Sequence, residues 1–198
     1  MVCHIIQGMS KSRGFTLVEL MVVVAIAAVL ASLAVPSFKH LIQSSSISTS
    51  VNTFLGDLRF ARSEALRRGG AVILCRSDSP EATSPVCGSG SGTGGIGWAT
   101  GWIVFYDQDG NGDRSASSTD PVLRRQAALT SLDYVLQTTG GSSTKFEFTA
   151  TGRIRNLSSG VVTMQFGGGK FKADVQRTVC VSIGGRGRVA GDGNASCT

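Results

Sequence analysis

The chain has 198 residues, with 19 Lys+Arg against 13 Asp+Glu and a formal net charge of +6. At 41% hydrophobic it is too apolar for a disordered protein, and its 26 Gly and 4 Pro carry no collagen repeat. Its 5 Cys include no C-x-x-C pair, which argues against a zinc ribbon or a thioredoxin-like site.

Phe15 to Val35 is an apolar run of 21 residues with one charge, Glu19, in front of Pro36. At ~1.5 Å per residue it covers about one bilayer, so residues 15–36 are expected to form a transmembrane helix. Lys11 and Arg13 ahead of it place the amino end in the cytoplasm and the rest across the membrane. No A-x-A-like site leads out of the run, which argues against a secretory signal peptide. A carboxylate in a membrane segment costs roughly 3 kcal/mol at the helix centre and less near an end, so Glu19 needs a partner. Cutting the chain between Gly14 and Phe15 would supply one, because the new α-amino group of Phe15 is a cation that a neighbouring copy's Glu19 can neutralise.

The string KSRG-FTLVEL, with a long apolar helix behind it and Pro36 at the 22nd position after the cut, resembles the class III signal of type IV pilins and pseudopilins. The resemblance implies that residues 1–14 are a leader, that a prepilin peptidase cleaves after Gly14 and methylates Phe15, and that Glu19 supports assembly with other pilins into a filament. It places the chain in the inner membrane, with its carboxy-terminal domain in the periplasm. Met9 opens the more usual short leader, MSKSRG, and Cys3 and His4 fall within the leader, leaving four Cys.

Residues 37–69 stay helix-compatible, with Leu41, Ile42, Ile47, Val51, Phe54, Leu55, Leu58, Ala61 and Ala65 mostly at three- and four-residue steps. The Ser-rich stretch Ser44 to Ser50 weakens the helix locally, and Gly69-Gly70 ends it. Arg59, Arg62, Arg67 and Arg68, with Asp57 and Glu64 among them, are read as a solvated helix face. From residue 70 the period changes to short β-like runs, AVILCR, WIVFYD, PVLRRQ, KFEFTA, VVTMQF and TVCVSI, between Gly, Ser, Asn and Asp clusters. The expected fold is α+β, a long amino-terminal helix packed on an antiparallel β-domain over residues 70–198. Gly88 to Gly97 lacks the Lys-Ser/Thr ending of a P-loop and is read as a mobile hairpin loop.

Cys75 and Cys87 flank a polar loop, and Cys180 and Cys197 flank the tail. Four Cys allow three connectivities; the two local pairs are preferred, each closing a loop of roughly 15 residues worth about 3 kcal/mol in the chain-entropy picture. The run Trp98 to Asp107, WATGWIVFYD, narrows the resemblance to the FimT/GspH group of minor pseudopilins. Asp107, Asp109, Asn111 and Asp113 in DQDGNGD look like half of an EF-hand loop, but Ser118 stands where its twelfth-position Glu belongs. An Asx-rich turn is preferred and no metal ligand or cofactor is expected. With no G-x-S-x-G or H-E-x-x-H string, no enzyme is expected either.

Charge is uneven along the chain. From Gly140 to Thr198 eight Lys/Arg face three Asp/Glu, whereas Phe15 to Thr139 carries nine against ten. Within the tail stands Gly185-Arg186-Gly187-Arg188, whose alternate arginines would face one way on an extended segment. It resembles the G-R-x-R motif near the carboxy terminus of the FimT branch, which implies that Arg186 and Arg188, with Gly185 beside them, contact DNA. Lys170, Lys172 and Arg177 are read as supports. A second such string, Gly152-Arg153-Ile154-Arg155, limits the specificity of the pattern. The partner expected is duplex DNA bound without sequence preference, in natural transformation; the alternative is a GspH-like structural tip subunit of a type II secretion pseudopilus that needs no DNA.

Overall fold

The computed structural model describes residues 14–115, 117–139, 144–157 and 160–197, and of 33–37 the backbone only. Contacts divide the chain into an amino-terminal unit ending at His40 and a larger one, Leu41–Thr198. The leader expected over 1–14 lies outside the described residues up to Arg13. So do Lys11 and Arg13, which carried the orientation argument.

One helix, α1, runs Leu17–Arg68. In the first unit Thr16 caps it, its Oγ1 accepting the N–H of Glu19 at 3.2 Å, the Thr-x-x-Glu spacing of a capping box. Phe15 is 84% and Leu17 73% exposed, and the large apolar residues that follow as far as Leu30 are also uncovered. Among the described residues no helix is long and apolar enough to cross a membrane. The expected span runs on through 33–37, whose side chains lie outside the description.

In the second unit the Ser/Thr-rich stretch is helical, its hydroxyls turned back one turn, Thr49 to the Ser45 carbonyl, Ser50 to Ser46 and Thr53 to Thr49, while Ile47 and Val51 are buried in the core. The helix ends as expected. Gly69 and Gly70 take φ of 81° and 111°, and the Gly70 N–H reaches the Ala65 carbonyl at 2.7 Å, the closing bond of a Schellman motif.

Among the described residues eight strands follow: β1 (Val72–Arg76), β2 (Trp102–Tyr106), β3 (Val122–Gln126), β4 (Tyr134–Thr139), β5 (Lys145–Phe148), β6 (Val161–Gly167), β7 (Arg177–Ser182) and β8 (Gly187–Gly191). They form two antiparallel sheets, in the orders β3-β2-β1-β5 and β4-β6-β7-β8. The α+β architecture is therefore as read, and the six runs from the sequence are six of these strands; β4 and β8 are additions. The helix face Ile47, Val51, Phe54, Leu55, Leu58, Ala61 and Ala65 packs in one core with residues of both sheets. Phe54 lies at its centre, edge-on to Trp98, Trp102, Phe146 and Phe166. β1 and β2 are buried on both faces because Ile73, Cys75, Ile103 and Phe105 build a second small cluster with Cys87. Both local disulfides are present, Cys75–Cys87 and Cys180–Cys197.

One reading needs correction. Asp57 does not belong to a solvated face: it is 6% exposed and accepts from Trp102 Nε1 at 2.8 Å and Arg124 Nη1 at 2.7 Å. It sits three residues after Phe54 and four before Ala61, on the buried stripe itself. The Gly88–Gly97 stretch lies in the connection between the antiparallel neighbours β1 and β2. It wraps the fully buried guanidinium of Arg76, which pairs with Asp78 at 2.6 Å and donates to the Ser89 carbonyl at 2.5 Å. A Cβ at Gly88 would meet Arg76 Nη2 at 2.5 Å, so glycine is what admits the arginine.

Candidate nucleic-acid interface

β7 and β8 form the last hairpin, with Cys180 opposite Arg188 and Val181 opposite Gly187. Its turn is closed by the Gly185 N–H to the Ser182 carbonyl at 2.8 Å and by the Ser182 N–H to the Arg186 carbonyl at 2.9 Å. Gly185 takes φ of 71°, in the left-handed region that favours glycine. Gly187 lets the hairpin rest on α1, since a Cβ there would meet Leu55 Cδ2 at 2.5 Å and Leu58 Cδ2 at 2.8 Å. The variable position of G-R-x-R is thus a packing position, which seats the strand on the helix.

Arg186 and Arg188 are exposed and line one open hollow of about 350 Å³ with Val161, Cys180, Ser182 and Gly187. Arg186 also lines a second hollow, of about 370 Å³, with Arg59, Arg62, Ser63, Leu66, Gly185 and Gly187. The two hollows share Arg186 and Gly187 and so adjoin at the hairpin turn, one reaching α1 and the other lying over β6, β7 and β8; together they are called the groove. Arg62 is held in place by its Nε, which donates to the Gly152 carbonyl at 3.2 Å. Gly152 opens the second G-R-x-R string; the Ile154 N–H in that string donates to the Ile183 carbonyl at 2.8 Å, and the Gly152 carbonyl lies against Gly185, so the two strings adjoin. Ile154 itself is core, and Arg155 pairs with Glu147 at 3.0 Å.

Among the described residues, Arg59, Arg62, Arg186 and Arg188 have no carboxylate partner. Seven other cations are paired, Arg67 and Arg68 with Glu64, Arg76 with Asp78, Arg124 with Asp57, Lys145 and Arg155 with Glu147, and Lys170 with Asp133, whereas Arg114, Arg125 and Arg153 form no ion pair among the described residues either. The groove is therefore a site of uncompensated positive charge. Its donors are guanidinium forks, whose geometry suits phosphate oxygens.

Lys170, Lys172 and Arg177 are not brought to this groove. They precede or open β7, whose other end leads into the turn, and a strand of that length spans ~17 Å. Arg177 folds back on its own turn, Nη1 donating to the carbonyls of Asp174, Val175 and Gln176. Asp192 lies at that far end too, its carbonyl bonded to Thr178 Oγ1 at 2.8 Å. Conversely, Arg59 and Arg62 join the groove although the sequence pattern left them on a solvated face. A signal was available: Glu64 stands three and four residues before Arg67 and Arg68, whereas no carboxylate stands three or four residues from Arg59 or Arg62. In the amino-terminal unit Gly14 and Phe15 precede the helix and Glu19 lies in its first turn.

Comparison with known proteins bears on these findings. Residues 50–185 match the family described as type II transport protein GspH, and residues 9–35 match the prokaryotic N-terminal methylation motif. Over 77 residues the chain is 36% identical to prepilin peptidase-dependent protein D of Escherichia coli (strain K12), covering 39% of this chain and 52% of that protein. Over 65 residues it is 42% identical to a probable minor fimbrial protein of Dichelobacter nodosus, covering 33% of this chain and 40% of that protein. The chain spans about half the length of these curated relatives. No solved structure matches. The family match stops at Gly185, one residue before Arg186.

Proposed function

The chain belongs to the type II transport protein GspH family and is a pilin-like subunit of a type IV pilus or a type II secretion pseudopilus; from that premise we propose that it binds duplex DNA through the arginine groove. In this reading it is a minor pseudopilin that serves DNA uptake in natural transformation and supports pilus assembly. The leader is cut after Gly14 and Phe15 is methylated, Glu19 seats the helix among other pilins by meeting a neighbour's amino terminus, and the groove faces the periplasm.

The observation that carries the DNA reading is the gathering of Arg59, Arg62, Arg186 and Arg188 around two adjoining hollows, none with a carboxylate partner among the described residues. Guanidinium contacts to phosphates position a duplex without reading bases, so binding tolerates any sequence and weakens with salt. If all four neutralise a phosphate, a fourfold rise in salt weakens binding on the order of 100-fold, from a slope of about 0.9 per phosphate. Several copies in a filament would add avidity to a weak single site.

The test is titration of the full chain in detergent with duplex DNA at two salt concentrations, against the double variant Arg186→Ala with Arg188→Ala. Loss of most of the affinity and a shallower salt slope are expected. A double variant that binds as well as the wild type defeats the reading. The competing role, a structural tip subunit of a secretion pseudopilus without DNA, draws on the description of the matched family and on the end of that match at Gly185, and is what remains if wild type shows no DNA binding.

A further inference from the structure

The connection between β2 and β3 gathers three carboxylates. One ligand oxygen from each of Asp107, Asp109 and Asp120 lies within 4.8 Å of the others. Ser118 stands at the twelfth position counted from Asp107, but Asp120, two residues on, folds back into the group, accepting from the Gln108 N–H at 2.7 Å and from the Ser118 hydroxyl. A carboxylate is thereby delivered from a place that the EF-hand spacing does not anticipate.

A cluster of acids alone is no site, and a second observation comes from Asp107 itself. Its side chain is buried, the residue 3% exposed, and Oδ2 accepts from the Gly112 N–H at 3.0 Å. Oδ1 is equally enclosed and has no hydrogen-bond partner. A buried carboxylate oxygen left without a donor carries an uncompensated desolvation cost, and such groups are normally satisfied. No cation answers it: among the described residues none of the three carboxylates forms an ion pair. The nearby Arg114 spends its guanidinium on the carbonyls of Asp120 and Pro85 instead.

We propose that Asp107, Asp109 and Asp120 form a calcium site in which Asp107 Oδ1 is the inner ligand, with water completing the shell. Oxygens within 4.8 Å of one another can share one ion with the calcium–oxygen distances of about 2.3–2.6 Å, and calcium accepts the irregular, partly water-filled shell that three carboxylates leave. An all-oxygen, carboxylate-rich set also suits a hard cation and disfavours zinc or copper. Bound calcium would fix the β2–β3 connection, a part of the domain that the arginine groove does not use.

The experiment titrates the full chain in detergent with calcium chloride by calorimetry, with magnesium chloride as comparison, and follows terbium luminescence excited through Tyr106, which adjoins Asp107. One saturable site is expected, with half-saturation between ~10⁻⁵ and ~10⁻³ M, calcium preferred over magnesium and able to displace terbium. Asp107→Asn and Asp120→Asn are each expected to weaken calcium at least tenfold, while Arg186→Ala leaves it unchanged. The proposal is overturned if wild type gives neither a saturable heat nor a calcium-dependent rise in unfolding temperature up to ~10 mM, well above the weakest extracellular sites. It is equally overturned if the two Asp variants, folded by circular dichroism, bind as wild type does. Wild type alone decides the matter if the variants fail to fold.

Discussion

Gly185 and Gly152, which open the two G-R-x-R strings, touch: a Cβ at Gly185 would run into the carbonyl oxygen of Gly152. The same carbonyl receives the Nε of Arg62. One backbone oxygen therefore sets both the hairpin turn and a helix arginine of the groove. Gly185→Ala combines a left-handed φ of 71° with this collision, so its cost is expected to exceed the ~1 kcal/mol of a strained turn alone. Thermal unfolding would fall by several degrees, and DNA affinity would fall with it although no charge is removed.

Arg59 and Arg62 line the groove beside Arg186. Arg59→Ala with Arg62→Ala is expected to weaken DNA binding and to lower the salt slope by up to ~2 units, about 0.9 for each phosphate no longer neutralised. Lys170→Ala, at the far end and paired with Asp133, should leave both nearly unchanged. Titrations at two salt concentrations measure the difference; equal effects from the two variants would break the link between groove and binding.

Much of this domain was legible in the sequence because its signals are local. Gly69-Gly70 terminated the helix, six β-rich runs became strands, and both cysteine pairs closed as the shorter loops. What escaped depends on partners far along the chain. β8 is a Gly/Arg segment of low β-propensity that is extended because β7 pairs with it and Gly187 seats it on Leu55 and Leu58. Asp57 looked solvated by residue type, but its position on the buried stripe was already in the spacing, and the indole of Trp102 with the guanidinium of Arg124, both distant in sequence, makes a carboxylate acceptable there. The candidate site was half legible: Arg186 and Arg188 came from the motif, whereas Arg59 and Arg62 needed the fold to be joined to them.

Asp57 accepts from Trp102 and Arg124 together. Asp57→Ala strands a buried indole N–H, while the Arg124 side chain, 48% exposed, can return to water. The first effect dominates, and a loss of about 2 kcal/mol is expected. Denaturant unfolding followed by tryptophan fluorescence measures it; a loss near zero would mean the bond contributes nothing.

Glu64 bonds Arg67 and Arg68 in the last turn of the helix, and these hydrogen bonds hold its carboxyl down to about 2. The unfolded value is about 4.3. A depressed folded value means that the contribution is fully present above the unfolded value and is lost as pH falls through the folded one. Stability should therefore decline between about pH 5 and pH 2, and Glu64→Gln should remove part of that slope. Carboxyl titration by NMR checks the assignment directly.

The two disulfides should separate stability from binding. Cys180 lies opposite Arg188 on the hairpin, and its bond to Cys197 ties the tail across β7. Cys75–Cys87 instead closes the loop beside the outer face of β1, away from the groove. Each loop is of a size for which the link is worth about 3 kcal/mol, so Ser replacement of either pair should lower the unfolding temperature comparably. Only loss of Cys180–Cys197 frees the edge strand that presents Arg188, because among the described residues β8 has one strand neighbour, β7. That variant is expected to bind DNA more weakly at a temperature where both variants remain folded, and the Cys75/Cys87 variant to bind as wild type does. Equal binding by the two would show that the arginines need no fixed strand.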